Sequence, residues 1–160
     1  MLLDILSLLC RLVVGCIFLY ASYDKILDPQ AFAPFVAQYE LVPLWMVNWG
    51  SAIFAWTEFT ISILLIAGWQ IRPAALIATV MLVFFTGLMV YAGITGAGFD
   101  CGCFPGDAGH PAGFDAALRD LGFLVPAIFV LSRPGRRFSI DAIRDRHKRK
   151  DIWIFDLKDY

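Results

Sequence analysis

The amino-acid sequence predicts an all-α integral membrane protein, a bundle of four transmembrane helices with both termini in the cytoplasm. Of its 160 residues, 59% are hydrophobic and only 17% are charged. Because about a quarter of the residues of a soluble domain are charged, this composition excludes an ordinary soluble fold. Four apolar stretches approach the length of about 20 residues that a membrane-spanning helix needs. These predicted spans lie at about 3–22, 45–67, 73–94 and 114–131, within one domain over residues 1–132.

Proline and glycine residues separate the predicted spans. Asp28-Pro29 closes the first helical region, and residues 68–73 form a link short enough to predict an antiparallel hairpin of the second and third spans. A glycine-rich stretch at about 95–113 predicts a flexible loop before the fourth span. Pro126 lies inside that last span, where a bundle tolerates the kink.

The distribution of Lys and Arg predicts the orientation. Most basic residues follow the fourth span, in 133–160, and Arg72 lies in the second link. The positive-inside rule puts both on the cytoplasmic side of a bacterial inner membrane, which leaves the 95–113 loop in the periplasm. The basic tail is interpreted as a solvated flank, with a membrane-surface helix as the alternative. The charge pattern indicates the lipid bilayer as a partner and does not indicate nucleic acid.

Polar and small residues recur at helical spacing along the first three spans and predict the inner face of the bundle. Arg11 and Glu58 lie within this pattern, where an unpaired charge costs several kcal/mol. Counted from the inner ends of their helices, they lie at similar depths of about 12 and 13 Å. We therefore predict a buried Arg11–Glu58 pair, which serves either as a packing salt bridge or as part of a proton path or ligand site.

A Cys-Gly-Cys motif, Cys101 to Cys103, lies in the predicted periplasmic loop. Gly102 lets the backbone bend, and a strained disulfide across one residue is easily reduced, which suits reversible disulfide chemistry. Cys101 and Cys103 are therefore the predicted catalytic residues. Two alternatives stay open: a static loop-closing disulfide, and a soft-metal site for copper(I) in which His110 is the third ligand.

A reactive thiol needs a lowered pKa, usually from a nearby cation or a helix N-terminus. The candidates for this role are Lys25 at the outer end of the first span, Arg119 early in the fourth span, and His110. The remaining cysteines, Cys10 and Cys16, point in different directions on the first span and are predicted to be apolar fillers.

Several stretches together resemble the DoxX-like superfamily of membrane proteins, and more closely its MauE branch, the methylamine utilisation membrane proteins. The resemblance runs from Arg11 to Leu131 and does not cover the tail after Ser132. Its matching stretches are Arg11-Leu-Val-Val-Gly15, residues 18–29, Tyr39, Pro43, Trp56-Thr-Glu58, Gly68, residues 100–104 and Arg119-Asp120.

The resemblance implies a thiol–disulfide oxidoreductase that works with a periplasmic thioredoxin-fold partner in the maturation of a periplasmic enzyme. It also implies a membrane quinone near the outer mouth of the bundle, flanked by Lys25, Arg119 and Asp120. One departure is that quinone-coupled proteins of this type generally use two cysteine pairs, whereas this chain has one outer pair. Either a second pair then belongs to the partner, or there is no quinone chemistry. The alternative functions are a copper(I)-handling membrane protein and a non-catalytic assembly scaffold.

Overall fold

The computed structural model describes residues 2–40, 43–96, 112–135 and 139–141, and every regular element in this part of the chain is an α-helix. The all-α prediction is therefore confirmed. The helices are α1 (Leu2–Leu27), α2 (Pro29–Ala37), α3 (Leu44–Ala67), α4 (Ile71–Thr95) and α5 (Phe114–Ser132).

Among the described residues, three helices are long and apolar enough to cross a membrane: α1, α3 and α4. The chain is thus a multi-pass membrane protein, as predicted. Helix α5 has 19 residues and carries Asp115, Arg119 and Asp120 near its start. Its outward face is nevertheless apolar, with Leu118 and Val125 exposed by 73% and 69%. A fourth crossing by α5, and the cytoplasmic location of both termini, stay predictions.

The long helices pack as two pairs. Helix α1 lies along α3, and α4 lies along α5, with fewer contacts between the pairs than within them. Gly15 permits the first close approach, because a Cβ atom there would come within 2.7 Å of Ile66 Cγ1 and 3.3 Å of the Ser62 carbonyl oxygen. At Gly93 a Cβ atom would meet the Phe114 ring at 3.2 Å, so the first side chain of α5 packs directly on the α4 backbone.

The bundle has two ends, which we name by their connections. The link end holds Gly68 and Gln70, which join α3 to α4 in the left-handed conformation, at φ values of 72° and 49°. The start of the tail lies against this link, where the Asp141 backbone N–H donates to the Gly68 carbonyl at 3.3 Å. The opposite end, where α1 and α4 finish and α3 and α5 begin, holds α2 and is called the α2 end.

Helix α2 was not predicted from the sequence, which gave no helix between the first and second spans. The Asp28 carboxylate accepts a hydrogen bond from the Ala31 backbone N–H at 3.0 Å, and Pro29 occupies the first helical turn. An Asp N-cap followed by proline is a favourable helix start. Helix α2 packs on α3 and buries Phe32 and Ala33, so it covers one end of the bundle.

The predicted polar inner face is confirmed for most of its members. Small and polar side chains of α1, α3 and α4 are buried against neighbouring helices, whereas Asn48, which was predicted on the same face of α3, is exposed. The buried members are Ser7, Arg11, Gly15, Ser22, Lys25, Ser51, Ala55, Glu58, Ser62 and Thr86. Several hydroxyls bond to carbonyls of their own helix, as Ser51 does to Val47 at 2.8 Å. Such bonds satisfy a buried hydroxyl without a partner helix.

Candidate functional site: a buried ion pair in a membrane cleft

The centre of the site is Lys25, in the last turn of α1. Lys25 is only 5% exposed, although it lies near the end of a helix. Side chains of a helix point back toward its N-terminus, so the long lysine stem runs from the α2 end into the bundle. The sequence therefore places an ammonium group inside the α1–α3 pair rather than in water.

Glu58 of α3 is the partner of this ammonium group. Lys25 Nζ donates to Glu58 Oε2 at 2.9 Å and to Oε1 at 3.2 Å. The two side chains are 6% and 7% exposed, so both charges are removed from water. A buried charge is tolerated only when it is paired and hydrogen-bonded, and each of these groups meets that requirement through the other.

Two aromatic rings cover the ammonium group. Lys25 Nζ lies 4.9 Å from the centre of the Phe32 ring and 5.4 Å from that of Phe54. Both distances are within the range of a cation–π interaction. The rings stack on each other with their centres 5.9 Å apart. Phe32 comes from α2, so the short end helix and α3 together enclose the ion pair.

The ion pair faces a cleft between the two helix pairs. This cleft holds about 400 Å³ of empty space, its open mouth included. Side chains of α1, α3, α4 and α5 line it: Ile17, Phe18, Ala21, Lys25, Glu58, Met81, Leu82, Phe85 and Asp120. The walls are mainly apolar and aromatic, and the polar groups are carboxylates and one ammonium.

Asp120 is the polar group that the α4–α5 pair contributes. It is 3% exposed, and its Oδ1 lies 3.5 Å from Arg119 Nε. The Arg119 side chain is one-third exposed. The structure thus brings three of the sequence-derived residues, Lys25, Asp120 and Glu58, to one cleft, with Arg119 beside it.

The predicted Arg11–Glu58 pair is corrected by this arrangement. Arg11 is buried, but it lies at the link end, where a Cβ atom on Gly68 would come within 2.7 Å of Arg11 Nη1. Glu58 lies ten residues before Gly68, about 15 Å away along α3. The depth count failed because α1 continues to Leu2, well beyond the end of α3. Asp141 of the tail interacts electrostatically with Arg11.

The other predicted site residues, Cys101, Cys103 and His110, lie outside the described residues. Among the residues that are described, no group of three His, Cys, Asp or Glu side chains could hold a metal ion. Cys10 is half-buried and Cys16 is exposed, and both are free thiols.

Chain segments that flank the Cys-Gly-Cys motif are described, and they are fastened at the α2 end. Ala112 packs with Met89, Ala92 and Ala117, and Tyr39 adds its side chain to this cluster. The residues on either side of 97–111 are therefore at the α2 end, and Phe85, which packs with this cluster, also lines the cleft that contains Lys25.

Sequence reasoning missed the Lys25–Glu58 pair and the aromatic cover. Lys25 was predicted on the polar inner face of the first span, and as a cation near the loop and a quinone, but not as the partner of Glu58. Helical spacing correctly indicates that Ser22 and Lys25 continue the buried face of α1, but spacing does not give the height of a residue on the facing helix. Glu58 is at the matching height on the facing helix.

Comparison with known proteins is consistent with this membrane architecture. The chain matches the family described as Methylamine utilisation protein MauE over residues 3–133, which include all five helices. No curated protein and no solved structure gives a significant match. The match covers most of the 160 residues, and the chain belongs to the MauE family.

Proposed function

We propose that this chain is a membrane thiol–disulfide redox protein that serves the maturation of a periplasmic enzyme. Cys101 and Cys103 would exchange with a thioredoxin-fold partner in the periplasm. The observation that carries the proposal is that the segments flanking the Cys-Gly-Cys motif pack at the α2 end, in a cluster that includes Phe85, and that Phe85 also lines the cleft with Lys25 and Glu58. Charged residues inside a membrane bundle commonly mark a functional site.

The exchange reaction balances without another reagent. A thiolate of the reduced partner attacks the Cys101–Cys103 disulfide and forms a mixed disulfide, and the second partner thiolate then resolves it. The partner leaves as a disulfide, and Cys101 and Cys103 become thiols that carry two electrons and two protons. The reverse sequence of the same steps would deliver reducing equivalents to the partner.

The residues that line the cleft support a membrane quinone as the proposed acceptor of these electrons. Phe18, Leu82 and Phe85 give apolar walls for a planar ring, and Lys25 provides a hydrogen-bond donor. A bound quinone supplies two-electron, two-proton acceptance. The chain's own residues would bind and orient the ring.

The test is to trap the mixed disulfide in native membranes. Cys101→Ser and Cys103→Ser each remove one sulfur, so the remaining cysteine cannot resolve an adduct. We expect one of these variants to carry a dithiothreitol-sensitive adduct whose mass spectrum identifies a thioredoxin-fold protein. The double variant and Cys16→Ser are the matched controls, which we expect to form no such adduct. Absence of an adduct in both single variants, with tight copper(I) binding by the parent protein, would overturn the relay and favour metal handling.

A further inference from the structure

Lys25 has one hydrogen-bond donor more than its carboxylate partner uses. An ammonium group has three N–H donors, and the structure directs Nζ at two oxygens of Glu58, at 3.2 and 2.9 Å. The rings of Phe32 and Phe54 cover another side of the group. Because Lys25 also lines the cleft, its remaining donor direction is available to a ligand there.

We propose that Lys25 is the residue that binds a ligand oxygen in the cleft, and that Glu58 is a positioning residue that holds the ammonium in place. The ligand class is an uncharged, membrane-soluble molecule with a planar ring and a carbonyl oxygen. This inference rests on the proposed function, because it assigns residues to the acceptor of the relay.

The positions along the helices explain why Glu58 is needed. Gly15 lies against Ile66 in the α1–α3 pair. Lys25 lies ten residues from Gly15 toward the α2 end, which is about 15 Å along α1. Glu58 lies eight residues from Ile66 in the same direction, which is about 12 Å along α3. Glu58 is therefore slightly deeper. Lysine near a helix end normally extends its ammonium group outward to water. Helix geometry directs the Lys25 side chain back into the bundle, and the Glu58 carboxylate holds its ammonium group there, beside the cleft.

Charge balance indicates why the ligand is neutral. The α1–α3 pair contributes Lys25 and Glu58, which carry opposite charges. The α4–α5 pair contributes Asp120 with Arg119 at 3.5 Å. These four groups sum to zero, so neither a cation nor an anion is required for neutrality. The apolar walls favour a ring, and Lys25 favours an oxygen acceptor.

The test compares two ways of replacing the ion pair in the full-length protein. Lys25→Met combined with Glu58→Leu removes both charges together, and apolar replacement of a buried pair is often neutral for stability. Lys25→Glu combined with Glu58→Lys keeps the pair but moves the ammonium to α3. Binding of a short-chain ubiquinone and of menadione is measured by calorimetry in detergent, and Ser7→Ala at the link end is the matched control.

We expect the apolar double variant to bind either quinone at least about tenfold more weakly, the loss typical of a hydrogen bond from a charged donor. The exchanged pair should also bind weakly although it folds, whereas Ser7→Ala should bind like the parent. Affinity within twofold of the parent in the apolar double variant would overturn the assignment. The mixed-disulfide assay separates the two proposals when Cys101→Ser or Cys103→Ser is added to the parent and to each variant in native membranes. A normal adduct together with unchanged quinone affinity overturns only this inference, and a missing adduct when the cysteine replacement is made in the parent overturns the relay.

Discussion

The carboxylate of Asp141 caps helix α4 at Ile71, although the two residues are 70 positions apart in the chain. Its oxygens accept hydrogen bonds from the backbone N–H groups of Gln70 at 3.2 Å and Ile71 at 3.3 Å. The first N–H groups of a helix have no partner within it, and the α4 boundary has no side-chain cap of its own. The beginning of the tail therefore completes the fold at the link end, next to buried Arg11.

Removing this cap should destabilise the bundle. We expect Asp141→Ala to lower the free energy of unfolding by about 1–2 kcal/mol, since an N-cap carboxylate is worth about that much. Thermal unfolding in detergent, followed by circular dichroism, measures the loss. Asp141→Asn keeps an oxygen acceptor and should lose less. An Asp141→Ala protein as stable as the parent would show that the tail contact is dispensable.

A methyl group at Gly68 should be costly for two reasons. Its φ of 72° is in the left-handed region, and a Cβ atom there would lie 2.7 Å from Arg11 Nη1 and 2.9 Å from Ser139 Cβ. We expect Gly68→Ala to destabilise the protein by about 1–3 kcal/mol. Gly87→Ala is the matched control, because the α4 position has open space around it and an ordinary helical backbone. Equal unfolding temperatures for the two variants would contradict the close Arg11 contact.

The fold was largely predictable because its main signals are local in the sequence. Apolar length and glycine or proline breaks indicated the helices, and helical spacing indicated which face of α1 and α3 is buried. Helix α2 was missed although its signal was present. Asp28-Pro29 was interpreted as the end of one helix, whereas the structure uses Asp28 as the N-cap of the next.

The ion-pair partners were not predictable from the same signals, because partner choice depends on how far one helix slides along another. The spacing of Arg11 and Glu58 on their own helices is correct, but the heights were counted from assumed common ends. The contacts of Gly15 with Ile66 and of Gly68 with Arg11 set the true offset. That offset brings Lys25 next to Glu58, and the offset cannot be predicted from residue spacing within either helix.

Replacing only one residue of the Lys25–Glu58 pair should destabilise the protein much more than replacing both residues. Glu58→Ala leaves the Lys25 ammonium buried beside Phe32 and Phe54 without its carboxylate. We expect a loss of about 3–5 kcal/mol, as is typical of an uncompensated buried charge. The measurement is the fraction of folded protein after heating in detergent, by fluorescence-detected size exclusion. Lys25→Met with Glu58→Leu is the control, and a single variant as stable as this double variant would show that the charges are not truly desolvated.

Close packing of α1 on α3 should depend on the absence of a side chain at Gly15. A Cβ atom there would be 2.7 Å from Ile66 Cγ1 and 3.3 Å from a backbone oxygen, which cannot move as a side chain can. We expect Gly15→Val to push the helices apart and to cost about 1–3 kcal/mol, with weaker pairing of Lys25 and Glu58 as a result. Gly122→Ala on α5, where nothing lies within 4 Å, is the control. Thermal unfolding that is unchanged by Gly15→Val would contradict the packing of this pair.

The orientation of the bundle gives a prediction about the Cys-Gly-Cys motif. The basic residues of 133–160 predict, by the positive-inside rule, that the link end faces the cytoplasm, and we therefore expect the α2 end, with the segments flanking Cys101 and Cys103, on the periplasmic side. A membrane-impermeant maleimide should therefore label these thiols from the periplasm in spheroplasts treated with a reductant. Cys10→Ser with Cys16→Ser removes the other thiols, and Cys101→Ser with Cys103→Ser in that background should abolish labelling. Labelling only after the membrane is opened would reverse the orientation, and a periplasmic partner could then not reach the cysteine pair.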